Sequence, residues 1–96
     1  MKEGKVVIIN PYSGEGQWYK GNLHTHTENS PCGHYSVPKV IEFYKAYKMK
    51  YDFLAITDHY VLTQLENFEE EELLLFTGVE YKKKELQTLG INISEY

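Results

Sequence analysis

From Tyr51 to Thr57 the chain reads Tyr-Asp-Phe-Leu-Ala-Ile-Thr, a near-continuous apolar run that stops at Asp58-His59. A strand that is apolar on both faces is covered on both faces, the pattern of a parallel strand inside an α/β fold. Upstream, Trp18 to His26 alternates loosely and reads as another strand, with His24 and His26 at its C-terminal end. Alternate residues of a strand share a face, so both imidazoles are expected on one side. Between the two runs, Ser36 fits an N-cap and Pro38 the first helical turn. Val37, Val40, Ile41, Tyr44 and Tyr47 then fall on one helical stripe, with Lys39, Glu42, Lys45 and Lys48 largely opposite. An aromatic stripe can serve as a ligand platform, but this spacing matches a buried face. Strand, helix and strand make a βαβ unit with polar pairs at both strand C-termini, the edge where parallel α/β folds bind ligands.

The flanking segments extend the pattern. Val6-Val7-Ile8-Ile9, closed by Asn10-Pro11, reads as a first strand. Ser13 to Gly16 is loop, and Asn29 to Gly33 is a turn cluster. Leu62 to Glu72 is expected to be a short helix whose acidic run, Glu69 to Glu72, is a solvated face. Leu73 to Thr77 is a further apolar strand, ending in Gly78-Val79-Glu80. Lys82-Lys83-Lys84 reads as an exposed turn, and Leu89 to Ile93 as a last strand. No internal repeat or long linker divides the chain, so residues 1–96 are expected to form a single domain.

Composition narrows the function classes. At 42% hydrophobic and 15% aromatic, the chain is an ordinary globular sequence and not a disordered one. A net charge of −4 gives no basic footprint for nucleic acid. Bound cations would still let an acidic protein handle a phosphate ester. Cys32 is the single cysteine, so no internal disulfide forms, which fits a reducing compartment. No apolar run is long enough to span a bilayer, and the four apolar residues at Val6 to Ile9 are too few for a signal-peptide core. The expected setting is soluble and cytoplasmic.

The candidate metal ligands are His24, His26, His34, His59 and Glu80, each at the end of an element or in the loop beside it. Imidazole and carboxylate suit zinc, manganese or iron. A carboxylate such as Glu80 can bridge cations that the imidazoles cap, and such a clamp activates water against a phosphoryl centre. Asp58 and His59 are the candidate catalytic residues. The Asp58 side chain points away from that of His59 in a strand, and its roles would be to orient a ligand imidazole or to act as a base. Cys32 has no basic neighbour in sequence and reads as a plain thiol. There is no G-x-S-x-G elbow, Walker loop or G-x-G-x-x-G cradle.

Together these motifs resemble the PHP superfamily, named for polymerase and histidinol phosphatase. Its strand-end signatures correspond to Asn22 to Thr27, to Thr57-Asp58-His59 and to Gly78-Val79-Glu80. The resemblance runs from about Val6 to the end. It implies an α/β fold, a partial (β/α) barrel with parallel strands and the site at their C-terminal ends. It also implies up to three divalent metal ions and hydrolysis of a small phosphorylated substrate by metal-activated water. By position, His24 and His26 would hold one metal and Glu80 would bridge it to a second. His59 would belong to a third set, with His34 in the loop position that often supplies a histidine. The chain departs from the pattern at Asn22, where an acid is usual, at Ser30-Pro31-Cys32-Gly33, and at Gln87, where many relatives have a histidine. Family members are also two to three times longer, with further ligands from later strands. The chain therefore resembles the first part of such a domain: a fragment, a chain whose barrel an oligomer or partner chain completes, or a small open α/β domain that keeps part of the site. The alternative is a catalytically inert metal-binding remnant or an interaction subunit.

Overall fold

A computed structural model describes residues 10–46, 48–68 and 72–96. The expected strand at Val6 to Ile9, Tyr47 of the helical stripe and most of the acidic run lie outside them. Within them the order is β1 (Gly21–Asn22), α1 (Val37–Lys45), β2 (Phe53–His59), β3 (Leu74–Lys83) and β4 (Leu86–Ile91). They form one curled four-stranded sheet in the order β1-β2-β3-β4. β1 and β3 run parallel to β2, whereas β4 returns antiparallel to β3. The α/β class stands, but the sheet is mixed and not all-parallel.

β2 is the centre of the sheet. Leu54, Ala55 and Ile56 are fully buried, as the apolar run implied. Leu54 and Ile56 pack with Val40 and Ile41 of α1 and with Leu65 and Leu73; Val37, Tyr44, Tyr51, Phe68 and Leu75 close the margins. α1 starts where its signals placed it. The Ser36 Oγ accepts a hydrogen bond from Lys39 N–H, and a proline lies in the first turn. A Cβ on Gly78 would stand 2.6 Å from the Gly90 carbonyl oxygen and 2.9 Å from a methyl carbon of Thr57. Only glycine lets β3 lie this close to both neighbours.

Five expectations are corrected. The strand read over Trp18 to His26 is ladder-paired only at Gly21–Asn22. Beyond it, the Asn22 Oδ1 accepts the His24 N–H at 3.0 Å, and this side-chain turn diverts the backbone from the ladder. The segment from Leu62 to Phe68 is not helical. The Thr63 hydroxyl is drawn onto Asp58 and Leu65 is buried in the core, so tertiary contacts override helical preference. β3 does not end at Glu80 but continues to Lys83, because β4 supplies a new partner from Gly78 onward. Lys82 and Lys83 are therefore strand residues, the turn is Lys84-Glu85, and the last strand begins at Leu86 and not at Leu89.

In so small a core each buried side chain matters. Ile56→Ala removes a fully buried side chain from the central strand. It is expected to cost about 3 kcal/mol, read as a lower urea midpoint at unchanged slope. An unchanged midpoint would show that the core described here does not carry the stability.

Candidate metal centre

The two parallel ladders bring the site together. In parallel register His59 pairs with Glu80, so both side chains leave the same face of the sheet, and Asp58 leaves the other. The backbone from His24 to Thr27 runs beside the end of β2 without joining its ladder. Thr25 is held by Thr57, whose N–H donates to the Thr25 carbonyl oxygen at 2.7 Å while its Oγ1 accepts the Thr25 N–H at 3.0 Å. The Thr27 N–H donates to Asp58 Oδ1 at 2.6 Å. Thr25 and Thr27 are thus buried, and the intervening His26 and the preceding His24 turn toward Glu80.

Three imidazoles converge on one oxygen. The Nε2 atoms of His24, His26 and His59 lie 3.0, 2.8 and 3.3 Å from Glu80 Oε1. Donors around a tetrahedral zinc, with bonds of about 2.0–2.1 Å, stand about 3.3 Å apart. The spacing is therefore close to that of a coordination shell. Glu80 is only 2% exposed. Burial pushes its carboxyl pKa up, but hydrogen bonding to His24 and His26 and the ring charges of His24 and His59 outweigh this and leave it below the ordinary value. The site is built to keep this buried acid ionised, and a cation serves the same end. His59 Nδ1 is buried and has no hydrogen-bond partner among the described residues. An unsatisfied buried nitrogen is costly, and it leaves the ring with a donor atom in reserve.

Two overlapping groups of side chains bring their ligand atoms within 4.8 Å of one another: His24, His26 and Glu80, and His26, Cys32 and His59. Neutral imidazole with carboxylate or thiolate is a donor set for a divalent transition metal. Four of the five expected ligands thus lie together. His34, the fifth, is exposed and belongs to neither group among the described residues.

Cys32 takes its place beside the rings. The loop turns through Ser30 N–H to the Thr27 carbonyl and Gly33 N–H to the Ser30 carbonyl, both at 3.0 Å. A Cβ on Gly33 would lie 1.8 Å from the Thr27 carbonyl oxygen, so only glycine permits the turn. It carries the exposed Cys32 back until Sγ is 3.0 Å from His26 Nδ1. Sequence reading missed this residue because its basic neighbour arrives through the turn. The available signal was the turn cluster from Asn29 to Gly33, which contains Cys32 and can fold it back toward His26.

Asp58 neither orients an imidazole nor faces the ligand cluster. Its carboxylate is fully buried on the other side of β2. It accepts hydrogen bonds from Thr27 N–H and Oγ1, Ser30 Oγ and Thr63 Oγ1. The Ser30 Oγ also accepts the His59 N–H at 2.8 Å. Burial raises the Asp58 pKa, but the bonds from Thr63, Thr27 and Ser30 outweigh it and set the value below the ordinary one. With four donors committed to it, the carboxylate is a clamp that fastens the His24–Thr27 segment and the Cys32 loop to β2. A catalytic base needs a free lone pair facing the substrate; this one has its lone pairs in use. After His59 the chain leaves the sheet through Tyr60, a non-glycine residue at φ 58°. The Tyr60 N–H donates to the Glu80 carbonyl, which ties the exit to β3.

No protein-family model, curated protein or solved structure matches the chain. No helix among the described residues is long and apolar enough to cross a membrane.

Asp58→Asn keeps the size of the clamp but removes its charge. In metal-free protein it is expected to cost about 3 kcal/mol near neutral pH, as a charged acceptor of buried hydrogen bonds is lost. Because the folded-state pKa lies below the unfolded one, this stabilisation is present above the ordinary carboxylate range. It is lost as the pH falls through the folded-state value. Urea titrations of both proteins across the acid range should therefore converge at low pH; a gap independent of pH would contradict the clamp.

Proposed function

We propose that the chain is a metal-dependent phosphoesterase domain of the PHP kind, which hydrolyses a phosphate ester with metal-activated water. The observation that carries this reading is the convergence of His24, His26 and His59 on the buried Glu80 oxygen. His24, His26 and Glu80 would hold one cation, with His59 meeting the same carboxylate oxygen from a second group of donors. A divalent metal held there supplies Lewis acidity toward a phosphoryl oxygen and lowers the pKa of water to near neutrality. The protein's own contribution is preorganisation. Asp58 fixes the backbone that presents His26, and Ser30 fixes the backbone at His59. Glu80 brings a full negative charge into a buried position, which favours cations over neutral ligands.

A second reading, an inert metal-binding unit that needs further polypeptide, is supported by the opposite end of the same sheet face. There Leu23, Phe53, Leu74, Phe76 and Ile91 line an open apolar groove of about 280 Å³. Among the described residues it stands open, and an apolar patch of this kind favours burial against further polypeptide or a partner.

Metal analysis of gel-filtered protein, paired with turnover of p-nitrophenyl phosphate and its bis-ester, tests the proposal. The expected result is stoichiometric zinc, manganese or iron and metal-dependent hydrolysis, both lost in His24→Ala/His26→Ala with little change in the metal-free fold. Bound metal without turnover of either ester would select the inert reading. Unchanged metal content in the double variant would overturn the site itself.

A further inference from the structure

We propose that Cys32 is a metal ligand: its thiolate and His59, with His26 as the donor common to both groups, form a second, soft cation position beside the one made by His24, His26 and Glu80. The inference rests on the metal-centre reading and adds to it a residue that sequence analysis set aside as a plain thiol.

Three observations carry it. Cys32 Sγ and one ring nitrogen each of His26 and His59 lie within 4.8 Å of one another, the span that donors to one small cation occupy. Cys32 is fixed there by a turn that only glycine at position 33 allows, and not by chance exposure on a free loop. His59 has an unused donor: its Nε2 faces Glu80 Oε1 at 3.3 Å, while Nδ1 is buried without a hydrogen-bond partner among the described residues.

The chemistry of the donors sets what the position takes. The thiolate, not the thiol, binds metal. Binding therefore forms a metal–sulfur bond, breaks the S–H bond and releases one proton to solvent; filling both positions together also takes the His26 N–H proton, leaving a bridging imidazolate. Sulfur with imidazole selects zinc, iron(II) or cobalt(II) over the hard cations magnesium, calcium and manganese. The two positions share a wall, since the Glu80 oxygen touched by His59 is the same one met by His24 and His26. The centre is thus graded, with a carboxylate at one end and a sulfur at the other. The sulfur end is the one open to oxidation, because Cys32 is exposed.

Cobalt(II) titration of the metal-free, reduced full chain, followed by absorption spectroscopy, tests the assignment. Thiolate ligation gives a near-ultraviolet sulfur-to-cobalt charge-transfer band, whereas imidazole and carboxylate ligation give only visible d–d bands. The wild type and His24→Ala are expected to show the charge-transfer band. Cys32→Ser is expected to lose it entirely while keeping visible bands from His24, His26 and Glu80. Visible bands without charge transfer in the wild type would overturn Cys32 as a ligand and leave the first position standing. Absence of any bound cobalt in the wild type would overturn both positions. A charge-transfer band that persists in Cys32→Ser would also refute the assignment, because Cys32 is the only cysteine.

Discussion

The parallel pairing of β2 with β3 sets His59 opposite Glu80, and this register decides what the rest of the molecule does. A slip of β3 by one residue would turn Glu80 to the other face, toward α1 and the core, and away from His59. The register is held from both sides of β2. Leu54 and Ile56 are locked between α1 and the segment that carries Leu65, while Thr57 and Asp58 bind the backbone of the His24–Thr27 segment. The same seven-residue strand therefore supplies core, clamp and ligand. Its two faces divide the labour: Asp58 organises from one, and His59 acts from the other.

Electrostatics explains why the ligand side could hold a cation. A carboxylate as buried as Glu80 is costly unless it is neutralised. The surrounding imidazoles can supply protons, or they can supply lone pairs to a metal that carries the charge itself. Three Nε2 atoms aimed at one oxygen favour the second arrangement, since a carboxylate oxygen has two lone pairs to accept hydrogen bonds and not three. Asp58 makes the instructive contrast. It is equally buried, yet hydroxyls and a backbone amide satisfy it, so it needs no cation and takes part in none of the ligand groups among the described residues.

Much of this arrangement was legible in the sequence where it depends on strand periodicity. The apolar run of β2, the alternation of His24 with His26 and the placement of Glu80 after a glycine all follow from a repeat of two. The divergence of Asp58 from His59 follows from the same rule. Features that depend on what a residue meets in space were not legible. Residues 62 to 68 contain good helix formers, but the Thr63 hydroxyl and the Leu65 side chain are claimed by Asp58 and the core. Cys32 lacked a basic neighbour in the chain and gained His26 through a glycine turn. His34, two residues further on, reads equally well as a ligand but falls on the exposed side of that turn. β4 was misplaced because Leu86 to Thr88 carries little apolar signal, and its pairing is fixed by the hairpin with β3.

The central claim is that His24, His26 and Glu80 form one inner coordination shell. The most direct measurement is the zinc-edge X-ray absorption fine structure of Cys32→Ser protein, which lacks the sulfur donor, loaded with one equivalent of zinc. The account predicts a first shell of nitrogen and oxygen at about 2.0–2.1 Å, with the outer-shell scattering of at least two imidazole rings. Both should be weakened in His24→Ala/His26→Ala. A spectrum of light first-shell scatterers without imidazole outer-shell features, unchanged by the double substitution, would contradict it.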